Sequence, residues 1–341
     1  MKILFVYNHE GHAEPILRSR VAFPMRDATL TAVEVGNDQD AQNVVAAHEF
    51  DVLLLQEPPV FESVLDCGRP VILYERIDGA QLRAARSYLD RVAGVVKGYC
   101  FYPAERNNQW YDRGHVHALA RCGITAREPR HRNELPQPQV NPADLENVYA
   151  GPGFGSFGRM ETCIKTVVDF DASRRYDCHF TGTLDYEASE IETHRLLALQ
   201  ILQRYEAQFP GRAFGADGRT APYQSYLLSM LRSKTVLCPW GWGEATHRDY
   251  EAMALGAVVI KPDTSYVAAW PNIYQPEKTY VPCKCDFSDA VEKIEHVRDH
   301  WEDYRSMREL ARDTVLKAWD LEQIAGRIVW CIKQILGAVT C

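Results

Sequence analysis

No run of about 18 apolar residues occurs in this sequence, so no membrane-spanning helix is expected. No G-x-x-x-x-G-K-[ST] is present, and the opening strand is not followed by G-x-G-x-x-G. These absences argue against a P-loop NTPase and a nicotinamide dehydrogenase. Positive charge is not in excess: 38 Lys and Arg stand against 46 Asp and Glu, a net charge of −8, which disfavours a mainly nucleic-acid-binding role. His9-Glu10-Gly11-His12 lacks the spacing of the zinc-protease HExxH. Asp38-Gln39-Asp40 has the spacing of a metal-holding Asp-x-Asp, but it reads as a polar turn without a strong strand leading in. The ten cysteines form no framework; in the one close pair, Cys283 and Cys285, the single intervening residue suits neither a zinc knuckle nor a redox C-x-x-C. The others mostly sit in apolar surroundings, where Cys behaves as a small hydrophobe. Reduced thiols and no bound metal are therefore expected. Met1 to Tyr7 is too short for a signal-peptide core and reads as a first strand, so a cytoplasmic location is expected, with at most peripheral contact at the inner face of a membrane.

What is present is an alternation of strands and helices over 341 residues, enough for about two domains. Lys2–Tyr7, Asp51–Leu55, Pro70–Tyr74 and Val92–Val96 read as buried strands, with a helix expected from about Glu14, and the alternation argues a parallel sheet. Arg127–Pro142 is rich in proline and charge, and Gly151–Gly158 is rich in glycine, as expected of an interdomain junction. Gly153, Gly155 and Gly158 match G-x-G-x-x-G formally, but no strong strand precedes them, and a hinge is the preferred reading. Tyr176–Thr183 reads as a strand ending in Gly182-Thr183, followed by a helix through Thr193–Gln208. Tyr274–Asp286 is loop-rich, Phe287–Ile294 and Trp301–Trp319 read as amphipathic helices, and Ile324, Ile328, Val329, Ile332 and Ile335 mark a final helix.

The most informative stretch runs from Ser233 to Pro262. Thr235–Cys238 is a short apolar strand stopped by Pro239, and Gly241 and Gly243 permit a tight turn. Thr246 stands three residues before Asp249, as at a capped helix start, and Gly256 sits where that helix should end. Ala257–Ile260 is a second strand, closed by Pro262. A turn feeding a helix N-terminus at the carboxyl end of a parallel strand is an anion site in waiting, because the helix dipole and the unpaired amides point the same way. On that helix Arg248, Glu251, Ala252 and Leu255 share one face, while Tyr250, Met253 and Ala254 take the other. A guanidinium in the first turn and a carboxylate one turn on suit a ligand with phosphate at one end and vicinal hydroxyls beside it. The same spacing also reads as an i,i+3 ion pair on a solvated face, worth roughly a few tenths of a kcal/mol.

Pro239–Gly243 and Thr246–Pro262 resemble the donor-binding half of GT-B-fold glycosyltransferases, nearest to a bacterial surface-polysaccharide group with features in common with exostosin-like and capsule-associated families. The resemblance implies an α/β fold of two Rossmann-like domains facing a cleft: an acceptor domain over 1–155, a nucleotide-sugar domain over 170–320, and a terminal helix over 321–341 that crosses back to the first domain. It implies Glu251 on the ribose and Arg248 on the diphosphate, with the Gly182-Thr183 turn facing the diphosphate too; Thr183 also reads as a helix cap. Further donor-side candidates are Gly241, Gly243, Thr246, His247 and Lys261, the last reading equally as a surface Lys at a strand end. Many retaining members carry a Glu eight positions before the ribose Glu; here that position is Gly243, with Glu244 displaced by one, so an inverting reaction with a base from the first domain is expected. Candidate bases are Asp78, which also reads as an Asp-Gly turn, and His9 and His12 after the first strand; Lys97 is a further candidate for the same cleft. The expected activity is transfer of a sugar from a nucleotide-sugar to a saccharide or lipid-linked glycan, with no cofactor, no metal and no nucleic acid involved. A nucleotide-sugar epimerase and a noncatalytic sugar-nucleotide-binding protein are the alternatives.

Overall fold

The computed structural model describes residues 1–8, 23–25, 28–57, 61–75, 82, 86–101, 142–153, 160–185, 189–241 and 243–339. Its first half contains β1 (Lys2–Tyr7), β2 (Phe23–Met25), β3 (Ala28–Glu34), β4 (Val52–Glu57), β5 (Val71–Glu75), β6 (Gly94–Lys97), β7 (Tyr99–Phe101) and β8 (Val148–Ala150). Seven of these form one sheet in the order β2-β3-β1-β4-β5-β6-β8, parallel throughout except for β2 against β3. The continuous apolar runs of β1, β4 and β5 are what a parallel sheet covered on both faces requires. Strand β3, which the sequence did not announce, has only Ala28 and Leu30 fully buried; its Thr and Glu positions hide the strand signal. Asp38-Gln39-Asp40, expected to be a polar turn, is instead the first turn of a helix over Asp38–Ala47, whose cap Asn37 accepts the amide of Asp40 at 2.9 Å.

The second half contributes β9 (Tyr176–His179), β10 (Ala213–Phe214), β11 (Ser233–Leu237), β12 (Val258–Pro262), β13 (Val267–Ala269) and β14 (Val281–Cys283). Five of them make a parallel sheet in the order β10-β9-β11-β12-β14. Strand order reverses between β1 and β4 in the first sheet and between β9 and β11 in the second. In open α/β sheets such a reversal leaves a crevice at the carboxyl edge, the usual place for a ligand.

Helix packing and strand pairing both join the halves. The helix Leu321–Val339 lays Ile324, Ile328, Cys331, Ile332 and Ile335 on the face of the first sheet formed by Ile3, Phe5, Ile72, Tyr74 and Val96. Its i, i+4, i+8 spacing puts these side chains on one stripe. Gly94 marks the crossing, since a Cβ there would lie 2.9 Å from Ile335 and 2.6 Å from the carbonyl of Asn147. Separately, β13 pairs antiparallel with β7, matching Val267 with Phe101 and Ala269 with Tyr99. The Gly-rich junction packs against this ribbon. A Cβ on Gly151 would sit 2.3 Å from Val96, and one on Gly153 would sit 2.4 Å from the carbonyl of Gly98, so close backbone approach accounts for these two glycines. Gly155 and Gly158 lie outside the described residues.

No described helix is long and apolar enough to cross a membrane. Cys67, Cys100, Cys163, Cys178, Cys238, Cys283 and Cys331 are free thiols, but the expectation of reduced cysteines fails at Cys285, which is disulfide-bonded.

Candidate functional site

The reversal point of the second sheet brings together the end of β9, the end of β11 and the helix His247–Ala254. Thr246 caps that helix, and Gly256, at φ +71°, ends it: its amide reaches Met253 and the next amide, of Ala257, reaches Ala252, both at 3.0 Å. Asp249 is the organising group. It is fully buried, and its carboxylate accepts the Thr246 amide (3.0 Å), the Thr246 hydroxyl (2.9 Å), the Tyr274 hydroxyl (2.7 Å) and the Lys261 ammonium (3.1 Å). Lys261 thus has a different place from the one expected. It is fully buried, its charge is matched by Asp249, it reaches the Cys238 carbonyl at 3.4 Å, and its ammonium lies 5.9 Å from the centre of the Tyr274 ring. It is neither a surface residue nor a cation presented to a ligand. Its pairing locks β12, β11 and the helix start into one unit.

Arg248 turns the other way. Its Nη2 donates to the Thr181 carbonyl at 2.8 Å, its guanidinium lies over Phe180 at 4.9 Å, and its buried Nε has no hydrogen-bond partner among the described residues. A Cβ on Gly182 would approach Nη2 to 2.6 Å, so any other residue here would require the guanidinium to move from its present place. Thr183 is exposed; its carbonyl accepts Arg195 Nη1 at 2.7 Å. Arg195, which sequence reasoning missed, also lies near the second turn, with Nη2 3.9 Å from a Cβ built on Gly241. Its signal was its place in the first turns of the helix after Gly182-Thr183. The turns therefore share two guanidiniums.

The Gly241 amide, expected to face a ligand, is used inside its own turn, donating to the Gly243 carbonyl at 3.0 Å. The turn is held from behind by His194. Trp240 donates its amide to His194 Nδ1 at 3.0 Å, which makes the ring's Nε2–H the donor to the Cys285 carbonyl at 3.1 Å. Burial pushes His194 down to about 3, so it serves as a neutral spacer. Burial, with Arg248 beside it, likewise brings His179 to about 3; among the described residues its Nδ1 has no hydrogen-bond partner, and neither has the buried Trp240 Nε1. Buried polar groups in native proteins are normally paired. Unmatched groups on Arg248, His179 and Trp240 at one sheet edge are therefore informative. His247, the first residue of the helix, is half-buried.

Glu251 is fully buried, and both oxygens are engaged: Oε1 accepts the Tyr223 hydroxyl at 3.0 Å and Oε2 that of Tyr226 at 2.8 Å. A direct ribose contact is not what this geometry presents. Tyr223 is half-buried and Tyr226 buried, and neither tyrosine was anticipated.

At the carboxyl edge of the first sheet Lys97 donates to Glu75, with both side chains fully buried, at paired positions of β6 and β5. Gln56, at the reversal point, leaves a buried Oε1 without a partner among the described residues. Asp78, His9 and His12 lie outside the described residues, as does Trp242. Among the described residues no group of three His, Cys, Asp or Glu side chains converges as a metal site.

Residues 157–272 match the family model described as RXYLT1 C-terminal domain, a span that ends between β13 and β14 and covers less than half of the chain. Among solved structures, a glycosyltransferase from Rickettsia africae ESF-5 is similar at 10% identity, over 98% of this chain and 98% of that chain, with a TM-score of 0.53. An α,α-trehalose-phosphate synthase (UDP-forming) from Burkholderia vietnamiensis is similar at 10% identity, over 100% and 99%, with a TM-score of 0.51. TarM is similar at 11% identity over 82% of this chain, which spans about half of it (54%), with a TM-score of 0.48. No curated protein matches. The first two likenesses establish the fold: two Rossmann-like domains in the GT-B arrangement.

Two outcomes follow from the buried charges. Lys261→Met strands the Asp249 carboxylate, and removing one partner of a buried pair costs about 3–5 kcal/mol. Urea unfolding should show that loss, and the Lys261→Met/Asp249→Asn double variant should recover part of it; a double variant worse than the sum would contradict the pairing. For His179 and His194 the folded values lie below the unfolded value of about 6.5. The unfolded chain then binds protons first, so this contribution is complete above pH ~6.5 and is lost as the pH falls towards 3. A His179→Phe/His194→Gln variant should lose less stability than the parent between pH 7 and 4.5; equal losses would show that neither ring is held neutral.

Proposed function

We propose that the chain is a glycosyltransferase, moving a sugar from a nucleotide-sugar donor to a saccharide or lipid-linked glycan acceptor, without a metal and with inversion at the anomeric carbon. The carrying observation is that buried groups on Arg248, His179 and Trp240 lack hydrogen-bond partners among the described residues, and that these residues stand at or just beyond the ends of β9 and β11 and at the start of the helix, where the strand order reverses. A diphosphate supplies acceptors for the Arg248 and Trp240 N–H groups and is favoured by the positive end of the helix. The names of the two structures that share the fold, a glycosyltransferase and a UDP-forming synthase, support the same direction.

In this reading residues 1–155 carry the acceptor and 170–320 the donor. An acceptor hydroxyl attacks the anomeric carbon, the bond to the diphosphate oxygen breaks, and the hydroxyl proton passes to a base. Negative charge then grows on the leaving diphosphate, where Arg248, Arg195 and the helix terminus meet it in a partly dry site. Gly182 keeps space for Arg248, while Thr183, Gly241, Gly243, Thr246 and His247 line the two turns. Lys261 contributes by holding Asp249. Glu251 serves the ribose through Tyr223, whose hydroxyl it orients. For the base, Asp78 is preferred, three residues after the end of β5, and the His9–His12 loop after β1 comes second.

Incubation with a panel of nucleotide-sugars and glycan acceptors should give transfer, rather than an isomerised donor or no product. Arg248→Ala removes charge-assisted bonds worth about 1.5–3 kcal/mol, so calorimetric nucleotide affinity should fall about tenfold or more. Transfer should survive excess chelator, and the product's anomeric proton coupling should be opposite to the donor's. Activity abolished by chelator and restored by Mn²⁺ would defeat the metal claim, and a retained anomeric configuration would defeat the inverting one.

A further inference from the structure

We propose that Glu244 is a positioning residue that couples the donor turn of the second half to strand β7 of the first; the proposal rests on reading the second half as a nucleotide site. Glu244 follows the Gly241–Gly243 turn directly and is only 2% exposed. Its Oε2 accepts the hydroxyl of Tyr99 at 3.3 Å and its Oε1 that of Tyr266 at 3.5 Å. Tyr99 is the first residue of β7, in the first half. Tyr266 immediately precedes β13, the strand that crosses to pair with β7. The carboxylate therefore receives one hydroxyl from each half, at the point where the ribbon joins them.

A buried carboxylate is stable only while its acceptor positions are filled. Moving the turn relative to β7 would uncover Glu244, so the turn and the ribbon are held to one another. The backbone pairing of β7 and β13 does not include the turn; the Tyr99–Glu244 hydrogen bond does. Nothing in the transfer step uses Glu244 directly. A nucleotide that orders the turn should consequently order β7 as well, although β7 belongs to the other half.

Hydrogen exchange with UDP and GDP as probes tests this. In the parent, saturating nucleotide should slow exchange by about fivefold or more both in the helix 247–254 and in 99–101. In Tyr99→Phe the nucleotide Kd should change by less than about threefold, protection of 247–254 should persist, and protection of 99–101 should be lost. Glu244→Ala should lose the same protection, while Glu244→Gln, which keeps an acceptor for Tyr99, should restore most of it. Tyr266→Phe, which leaves the link between halves intact, should behave like the parent. Undiminished protection of 99–101 in Tyr99→Phe overturns the coupling, as does its absence from a parent whose helix 247–254 is protected. If neither UDP nor GDP binds the parent, the nucleotide reading itself fails and the coupling fails with it.

Discussion

The arrangement of the second half depends on one buried carboxylate. Asp249 lies in the first turn of a short helix, where a negative charge is favoured by the dipole, and it gathers four donors from three parts of the chain: Thr246, Lys261 and Tyr274. Each of these ties down something the site needs. Thr246 fixes the helix start, Lys261 brings β12 against the carbonyl of Cys238 at the end of β11, and Tyr274 closes the group from the loop beyond β13. With the Asp249 charge matched inside this cluster, Arg248 is left to reach across to the turn after β9. Two cations separated by thirteen positions in sequence thereby take different places: Lys261 pairs with Asp249, while Arg248 lies against Thr181 and Phe180. Only burial and partners distinguish them.

Around that anchor the two turns are shaped by complementary means. Gly182 is small so that Arg248 can lie close, while His194 holds the Trp240 amide of the second turn from behind. Two guanidiniums, from Arg248 and Arg195, sit at the carboxyl edge where the strand order reverses, and both donate to carbonyls of the first turn. In the proposed reaction, a preorganised cationic edge of this kind would cost little reorganisation as charge develops on a leaving diphosphate.

Much of this was legible in the residues. The strand–turn–helix–strand order of 233–262, the Thr246 cap and the Gly256 stop follow from local rules, and local chemistry decides them. The apolar stripe from Ile324 to Ile335 announced a terminal helix for the same reason, and it packs on the first sheet. What the sequence hid was tertiary. Strand β3 has too few apolar residues to stand out. Lys261 ends an apolar run before Pro262 and looks like an exposed strand-end residue until Asp249 is seen to meet it. Glu251 was read for its carboxylate, but the two tyrosines that take up its oxygens lie 25 and 28 residues away. Arg195 and Glu244 acquire meaning only when the two turns and the two halves are brought together. Asp78, His9 and His12 lie outside the described residues, so the choice of base still rests on their places after β5 and β1.

The central claim is that a nucleotide diphosphate lies at the carboxyl edge of β9 and β11. A crystal structure of the protein soaked with UDP or GDP tests it most directly. The account predicts diphosphate density over Gly182 and the start of the helix His247–Ala254, within hydrogen-bond distance of Arg248. Diphosphate bound instead in the cavity of about 660 Å³ lined by His48, Cys67 and Arg69, or against the first sheet alone, would contradict it.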